Sequence, residues 1–229
     1  MKKKVSKRYK KLLAISKDKK VESIDAAVKK IKSNCTTKFD ESVDVSFNLN
    51  LKSKKEELSL RTSVNLPNGN GKKIKIAVLC EDSKIKEAKD SGADISGNET
   101  LINDITSGKI NFDKLVATPS MMPKMGKLGK ILGPKGLMPN PKLGTVTNNV
   151  ASIVKALKKG QIEVKSDKDG NLGASIGKKS FSDDKIIENY KVIVDTILKE
   201  KPNNIKGNFI LSSFLTSTMG ISYKLKLEK

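Results

Sequence analysis

The residues best suited to chemistry lie between Met121 and Val146. There MMPKMGKLGKILGPKGLMPNPKLGTV holds five lysines, five glycines, four prolines and no acidic residue. Gly126, Gly129, Gly133, Gly136 and Gly144 leave backbone uncovered by side chains, and Pro123, Pro134, Pro139 and Pro141 fix φ between them. The stretch is expected to be an open, stiff loop rather than a core element. Lys124, Lys127, Lys130, Lys135 and Lys142 add ammonium groups to exposed peptide N–H donors, a combination suited to a phosphate backbone. The acid-free window runs from Lys114 to Ile162 and holds nine lysines. Random placement of 25 acidic residues along 229 positions rarely leaves such a gap, which favours an anion-facing surface over a merely solvated loop.

Other chemistry has less support. The chain has no histidine, so it lacks the commonest general base and the commonest zinc ligand. Cys35 and Cys80 form no CxxC pair and read as buried thiols in a reducing compartment. Asp82, Asp113, Asp183 and Asp184 are carboxylates that could bind a metal, but Asp183 and Asp184 open a helix, where the dipole explains them. No GxxxxGK[ST] occurs, and the glycines do not give GxGxxG directly after a strand. Neither catalysis, nor a cofactor, nor a small-molecule substrate is expected.

Composition agrees with a nucleic-acid partner. Lysine and arginine total 46 against 25 acidic residues, a net charge of +21. An acidic membrane surface is the other partner class for such charge, but no apolar run approaches the roughly 18 residues a span needs. Arginine occurs only as Arg8 and Arg61. Lysine meets phosphate as a point charge and reads guanine edges poorly, so backbone and shape recognition are expected. The N-terminal MKKKVSKRYKK leads into an apolar run of only Leu12 to Ile15, too short for a secretory signal, and a cytoplasmic protein is expected.

The elements that must position these groups fall into two styles. Residues 2–15 can form a basic helix anchored by Tyr9, Leu12 and Leu13. Ser23 has N-cap character, with Ile24, Ala27, Val28 and Ile31 at helical spacing and an end near Cys35. Val43, Val45, Phe47, Leu49 and Leu51 alternate with Ser42, Asp44, Ser46, Asn48 and Asn50, a half-buried strand. A charged turn, KSKKEE, leads to a second strand around Leu60 to Leu66, and PNGNG at 67–71 is strong punctuation.

Beyond it the period changes. Ile74 and the run Ile76 to Leu79, a helix at 83–91, a strand at 93–95, a helix at 99–106 and a strand at 115–117 alternate as βαβαβ, which implies a parallel sheet covered on both faces. The lysine and glycine stretch then leaves the carboxyl edge of that sheet. Val150, Ile153, Val154 and Leu157 restore helical spacing, stopped by Gly160. Ile162 and Val164, a turn at Asp169 and Gly170, and Leu172, Ala174 and Ile176 read as a hairpin. A helix from Ser182 to about Lys201 and strands near 209–215 and 221–227 finish the chain.

The expected fold class is thus mixed α/β and α+β with two domains. A split α+β domain takes residues 1–67 and 160–229, and a three-layer, Rossmann-like α/β domain, 68–159, is inserted into it. The paired crossings make a natural hinge. Phe39, in the polar segment TTKFDE, is either a satellite core residue or an exposed platform for RNA, and Met219 in TSTMG is similarly ambiguous. Thr218 offers a hydroxyl, and Gly220 permits close backbone approach.

KLGKILGPKGLMPNPKLGTV at Lys127 to Val146 resembles the family of large ribosomal subunit protein one, the L-one family of the mobile ribosomal stalk, in its bacterial form. TTKFDE at 36–41, ATPSMM at 117–122 and TSTMG at 216–220 fall in that family's order and spacing. The resemblance implies a first domain built from both chain ends and a second inserted into it. It also implies binding to the stalk region of large-subunit ribosomal RNA, contact with exit-site transfer RNA to assist its release, and repression of its own operon's messenger RNA. Carried over by motif, the main RNA contacts fall on Lys38, Phe39, Ser212, Thr218, Met219 and Gly220, with weaker contacts from Lys127, Lys130, Lys135 and Lys142. The competing classes are an RNA-modifying enzyme, which would need a cofactor pocket, and a sequence-neutral nucleic-acid binder.

Overall fold

The computed structural model describes residues 6–15, 21–50, 60–202, 205 and 207–227. The KSKKEE turn, Leu51 and the start of the basic helix at residues 2–5 lie outside them. In chain order the elements are α1 Lys7–Ile15, β1 Val21–Glu22, α2 Ile24–Asn34, β2 Ser42–Leu49, β3 Arg61–Asn65, β4 Ile76–Leu79, α3 Ile85–Asp90, β5 Ile95–Gly97 and α4 Glu99–Thr106. They continue as β6 Lys114–Ala117, α5 Met122–Met125, α6 Gly129–Leu132, α7 Val150–Lys159, β7 Gln161–Lys165, β8 Asn171–Lys178, α8 Asp183–Lys199, β9 Ile210–Ser217 and β10 Ser222–Leu225. The chain divides into two compact units, residues 1–71 with 162–229, and residues 72–161.

The first unit is α+β. Its main sheet has the order β1-β10-β9-β2-β8, and β2 runs antiparallel to both β9 and β8. Alternation along β2 puts Val43, Val45, Phe47 and Leu49 on one face, where each is at most 1% exposed, and leaves Ser42, Asp44, Ser46 and Asn48 on the other. Two helices cover the apolar face. The Ser23 side chain accepts from the Ala26 N–H to start α2, which buries Ala27, Val28 and Ile31. Helix α8 buries Ile186, Tyr190, Ile193 and Ile197, and the rings of Tyr190 and Phe47 stack with centroids 6.0 Å apart.

Two expectations for this unit need correction. Of the residues assigned to anchor α1, only Leu12 is buried, while Tyr9 and Leu13 are exposed. The hairpin after Gly160 is not a continuous ladder, because β7 pairs with β3 in a separate two-stranded sheet and β8 crosses to pair with β2. The turn between them is organised by Asp167, whose carboxylate accepts from the Asp169 and Asn171 N–H groups and is held below the ordinary carboxylate range chiefly by Asn171. The turn itself falls at Asp169 and Gly170 as expected, with Gly170 at φ 81°. Asn189 in α8, which the sequence reading does not single out, is fully buried: its amide donates to Gly69 O and Ile176 O and so pins the PNGNG segment to the sheet.

The second unit is the expected three-layer α/β arrangement. Its parallel sheet has the order β5-β4-β6, and all four residues of β4 are buried, as a strand covered on both faces requires. Ile76, Val78 and Val116 pack with Ala88 of α3 and with Val150, Val154 and Leu157 of α7. Ala77, Leu79 and Leu115 face the opposite layer, with Leu101 and Ile105 of α4. Gly160 ends α7 at φ 110°, a left-handed cap that a residue with a Cβ rarely adopts.

That opposite layer also contains the lysine and glycine stretch, contrary to the expectation of an open loop. Residues 119–132 wind through short helical turns that include α5 and α6, and Met121, Met125, Leu128 and Leu132 are all at most 3% exposed. Their spacing of four, three and four is helical. The glycines at 126 and 129 stand on the open side, where an added Cβ would meet nothing, so they mask a helical period without abolishing it.

Because the second unit has its own two-sided core, a fragment of residues 72–161 is expected to fold alone, with a cooperative thermal transition followed by circular dichroism. A fragment with no cooperative transition would contradict the division.

Candidate nucleic-acid interface

Two segments of the first unit meet around Glu41 and Ser42. The TTKFDE segment bridges α2 and β2, and the turn at 217–220 bridges β9 and β10. Thr218 N–H donates to Ser42 O at 3.0 Å, and Ser42 N–H donates to the Thr218 hydroxyl oxygen, also at 3.0 Å. Met219 N–H donates to the Glu41 carboxylate at 3.1 Å. From the other side, the Arg8 guanidinium of α1 donates to Met219 O at 3.0 Å. The TTKFDE segment is tied down as well: the Asp40 carboxylate accepts from the Ser180 N–H and hydroxyl, and Lys179 N–H donates to Glu41 O.

On this pinned backbone two large apolar side chains point into solvent. Phe39 is 53% exposed and Met219 is 46% exposed, so neither is a core residue. Lys38 is exposed beside Phe39. A ring and a thioether left exposed on hydrogen-bonded backbone have the chemistry that stacking on a base or sugar uses.

Thr218 and Gly220 also serve the fold of the turn. The Thr218 hydroxyl also lies 3.3 Å from Ser42 O, so its proton goes to that carbonyl, and only acceptor capacity is left for a ribose 2′-hydroxyl. At Gly220 an added Cβ would lie 2.3 Å from the Ser217 hydroxyl, which would have to swing aside.

Ser212 is separated from this cluster. It lies six positions before Thr218, about 20 Å along the strand direction, and pairs with Asn48. Between them runs the uncovered face of the sheet. Asp44, Ser46 and Asn48 of β2 stand beside Thr216, Phe214 and Ser212 of β9, and Asn48 donates to the Asn171 side chain at 2.8 Å. Sequence reasoning did not name Ser46, Asn48 or Phe214 as site residues, although the polar half of the β2 alternation was the available signal. It also missed the buried Glu41 and the Arg8 contact.

The lysines form a second set, on the other unit. Lys127, Lys130, Lys135 and Lys142 are all exposed. Lys127 and Lys130 lie on the solvent side of the segment whose inner side buries Met125, Leu128 and Leu132. Lys142 sits in a tight turn closed by Asn140, whose side chain accepts from Lys142 N–H at 2.9 Å. Lys124 is paired with Glu99 at 2.9 Å instead.

Both thiols are buried and free, and burial pushes each above its ordinary pKa, the reverse of an activated nucleophile. Among the described residues no group of histidine, cysteine or carboxylate side chains could hold a metal ion, and no helix is long and apolar enough to cross a membrane.

Comparison with known proteins decides the family. A model of the "Ribosomal protein L1p/L10e family" matches residues 28–221. The chain belongs to that family. It is similar to large ribosomal subunit protein uL1 of Pelagibacter ubique, at 56% identity over 98% of both chains. The corresponding proteins are 47% identical in Phaeodactylum tricornutum, where the name is uL1c and 98% of each chain is covered, and 43% identical in Prochlorococcus marinus, over 98% of this chain and 95% of that one. L1 members are ribosomal proteins and not enzymes, which removes the RNA-modifying alternative.

Replacing Lys127, Lys130 and Lys135 together by glutamine is expected to flatten the salt dependence of RNA binding by up to about 0.7 to 0.9 log-log units for each phosphate no longer neutralised. An unchanged slope would mean that this surface does not face RNA.

Proposed function

We propose that this L1 protein is a structural component of the large ribosomal subunit that binds ribosomal RNA at the stalk mainly through its first unit. The observation that carries the proposal is the pair of exposed apolar side chains, Phe39 and Met219, on backbone fixed by Glu41 and Ser42. Burying an aromatic ring and a thioether against unstacked bases or sugars recovers the apolar area left open to water in the free protein. Thr218 accepts from a ribose hydroxyl, Lys38 meets a flanking phosphate, and the hydroxyls and amides along β2 and β9, Ser212 among them, extend the contact along the sheet.

The lysines of the second unit contribute a looser, salt-sensitive attraction to phosphate. A contact of this strength suits a partner that must arrive and leave, and we assign it to exit-site transfer RNA, whose release the protein assists. The first-unit platform is small enough to be matched by a copy of the same RNA shape elsewhere, and repression of the protein's own operon messenger RNA follows from such mimicry. The place of action is the cytoplasmic ribosome, consistent with relatives named as large ribosomal subunit proteins.

Crosslinking the protein in cells and sequencing the attached nucleic acid tests this directly. The expected result is a dominant peak in large-subunit ribosomal RNA, with smaller peaks in transfer RNA and in the leader of its own messenger. Recovery of DNA, or of dispersed transcripts without a ribosomal peak, would support a sequence-neutral binder instead.

A further inference from the structure

Glu41 is fully buried although it is ionisable, and buried carboxylates persist only where donors surround them. Its carboxylate accepts the Thr37 hydroxyl at 2.7 Å and the Met219 N–H at 3.1 Å. Burial by itself raises the pKa. Donation from the Thr37 and Ser217 hydroxyls and from the Met219 and Thr37 N–H groups outweighs it, and the net shift is downward, so the group is a carboxylate at neutral pH. These donors come from two segments far apart in sequence, residues 36–41 and 217–219, one carrying Lys38 and Phe39 and the other Thr218 and Met219.

The same carboxylate explains the steric demand at position 220. Ser217, whose hydroxyl helps to lower the Glu41 pKa, is the residue that a Cβ at Gly220 would strike. Swinging the serine away to relieve that clash would remove one of the carboxylate's donors. Lys179 reinforces the arrangement: its backbone N–H donates to Glu41 O and its ammonium to Cys35 O, at 2.8 Å each.

We propose that Glu41 is a positioning residue for RNA binding: its buried carboxylate clamps the Phe39 segment to the Met219 turn, so that both side chains are presented together before RNA arrives. The residue touches no RNA itself. It lowers the ordering cost of binding by holding two independent loops as one platform. The inference rests on the reading of Phe39 and Met219 as RNA contacts.

The test uses the full-length protein and a stalk RNA fragment. Glu41→Gln keeps the shape but turns an amide donor toward groups that are themselves donors, and it should weaken binding about tenfold. In a Phe39→Ala, Met219→Ala background the same substitution should cost less, about threefold or under, because only Lys38 and Thr218 remain to be positioned. A merely structural role would give an equal loss in both backgrounds, or a lower melting temperature with affinity unchanged, and either result overturns the proposal. The Met219 amide proton resonance should move upfield in Glu41→Gln, and a resonance that stays in place counts against the clamp.

If Glu41→Gln fails to fold, Thr37→Val keeps the carboxylate and removes one donor. It should weaken binding about threefold with the same dependence on background. Unchanged affinity in a folded Thr37→Val protein would overturn the proposal. Failure of the wild-type protein to bind the fragment would overturn the RNA reading and this inference together, whereas tight wild-type binding that Glu41→Gln leaves intact removes only the inference.

Discussion

The first unit depends on strand β2, which is hydrogen-bonded on both edges and has a strict period of two. Between β9 and β8 it has no freedom to slip, because a shift of one residue would turn Val43, Val45, Phe47 and Leu49 into solvent and bury Asp44, Ser46 and Asn48. One constraint therefore sets both faces of the sheet. The apolar face calls for α2 and α8. The polar face stays open, and the residue just before the strand, Glu41, is held where the turn after β9 can reach it.

The two units offer candidate surfaces of different kinds. In the first, the candidate contacts are few, mostly uncharged and held by backbone hydrogen bonds, so shape and burial would decide what fits. In the second, the lysines project from a segment whose inner side is core, and charge would decide. Burying Met121, Met125, Leu128 and Leu132 gives the lysines a fixed base that an open loop would not have. Screening weakens the second kind of contact far more than the first.

Much of this was legible from residue spacing. Alternation along 42–50 identified β2 and its apolar face, and the change to a continuous apolar run at Ile76 to Leu79 announced the parallel sheet. Capping residues located α2, α7 and α8 to within a residue or two. What failed did so for physical reasons. Glycine and proline hid the helical spacing of Met121, Met125, Leu128 and Leu132, because propensity argues against a helix while burial favours one. The hairpin reading of 161–176 holds at the turn, where Ser166 bridges Leu172, but the strands then part, because tertiary contacts choose the partners and β7 pairs with β3 while β8 pairs with β2. The two-residue strand β1, parallel to β10, is too short to carry a period. Phe39 and Met219 were ambiguous by type, and only their exposure removes the core reading, whereas Glu41 looked like any surface acid until its burial was seen.

On the proposed reading, Phe39 and Met219 are exposed to meet RNA rather than to complete a core. Titrating Phe39→Ala and Met219→Ala with a stalk RNA fragment, and recording thermal unfolding of the same preparations, tests it most directly. Each substitution should weaken binding by about tenfold or more while the melting temperature stays close to that of the wild type. A lowered melting temperature with undiminished affinity would contradict it.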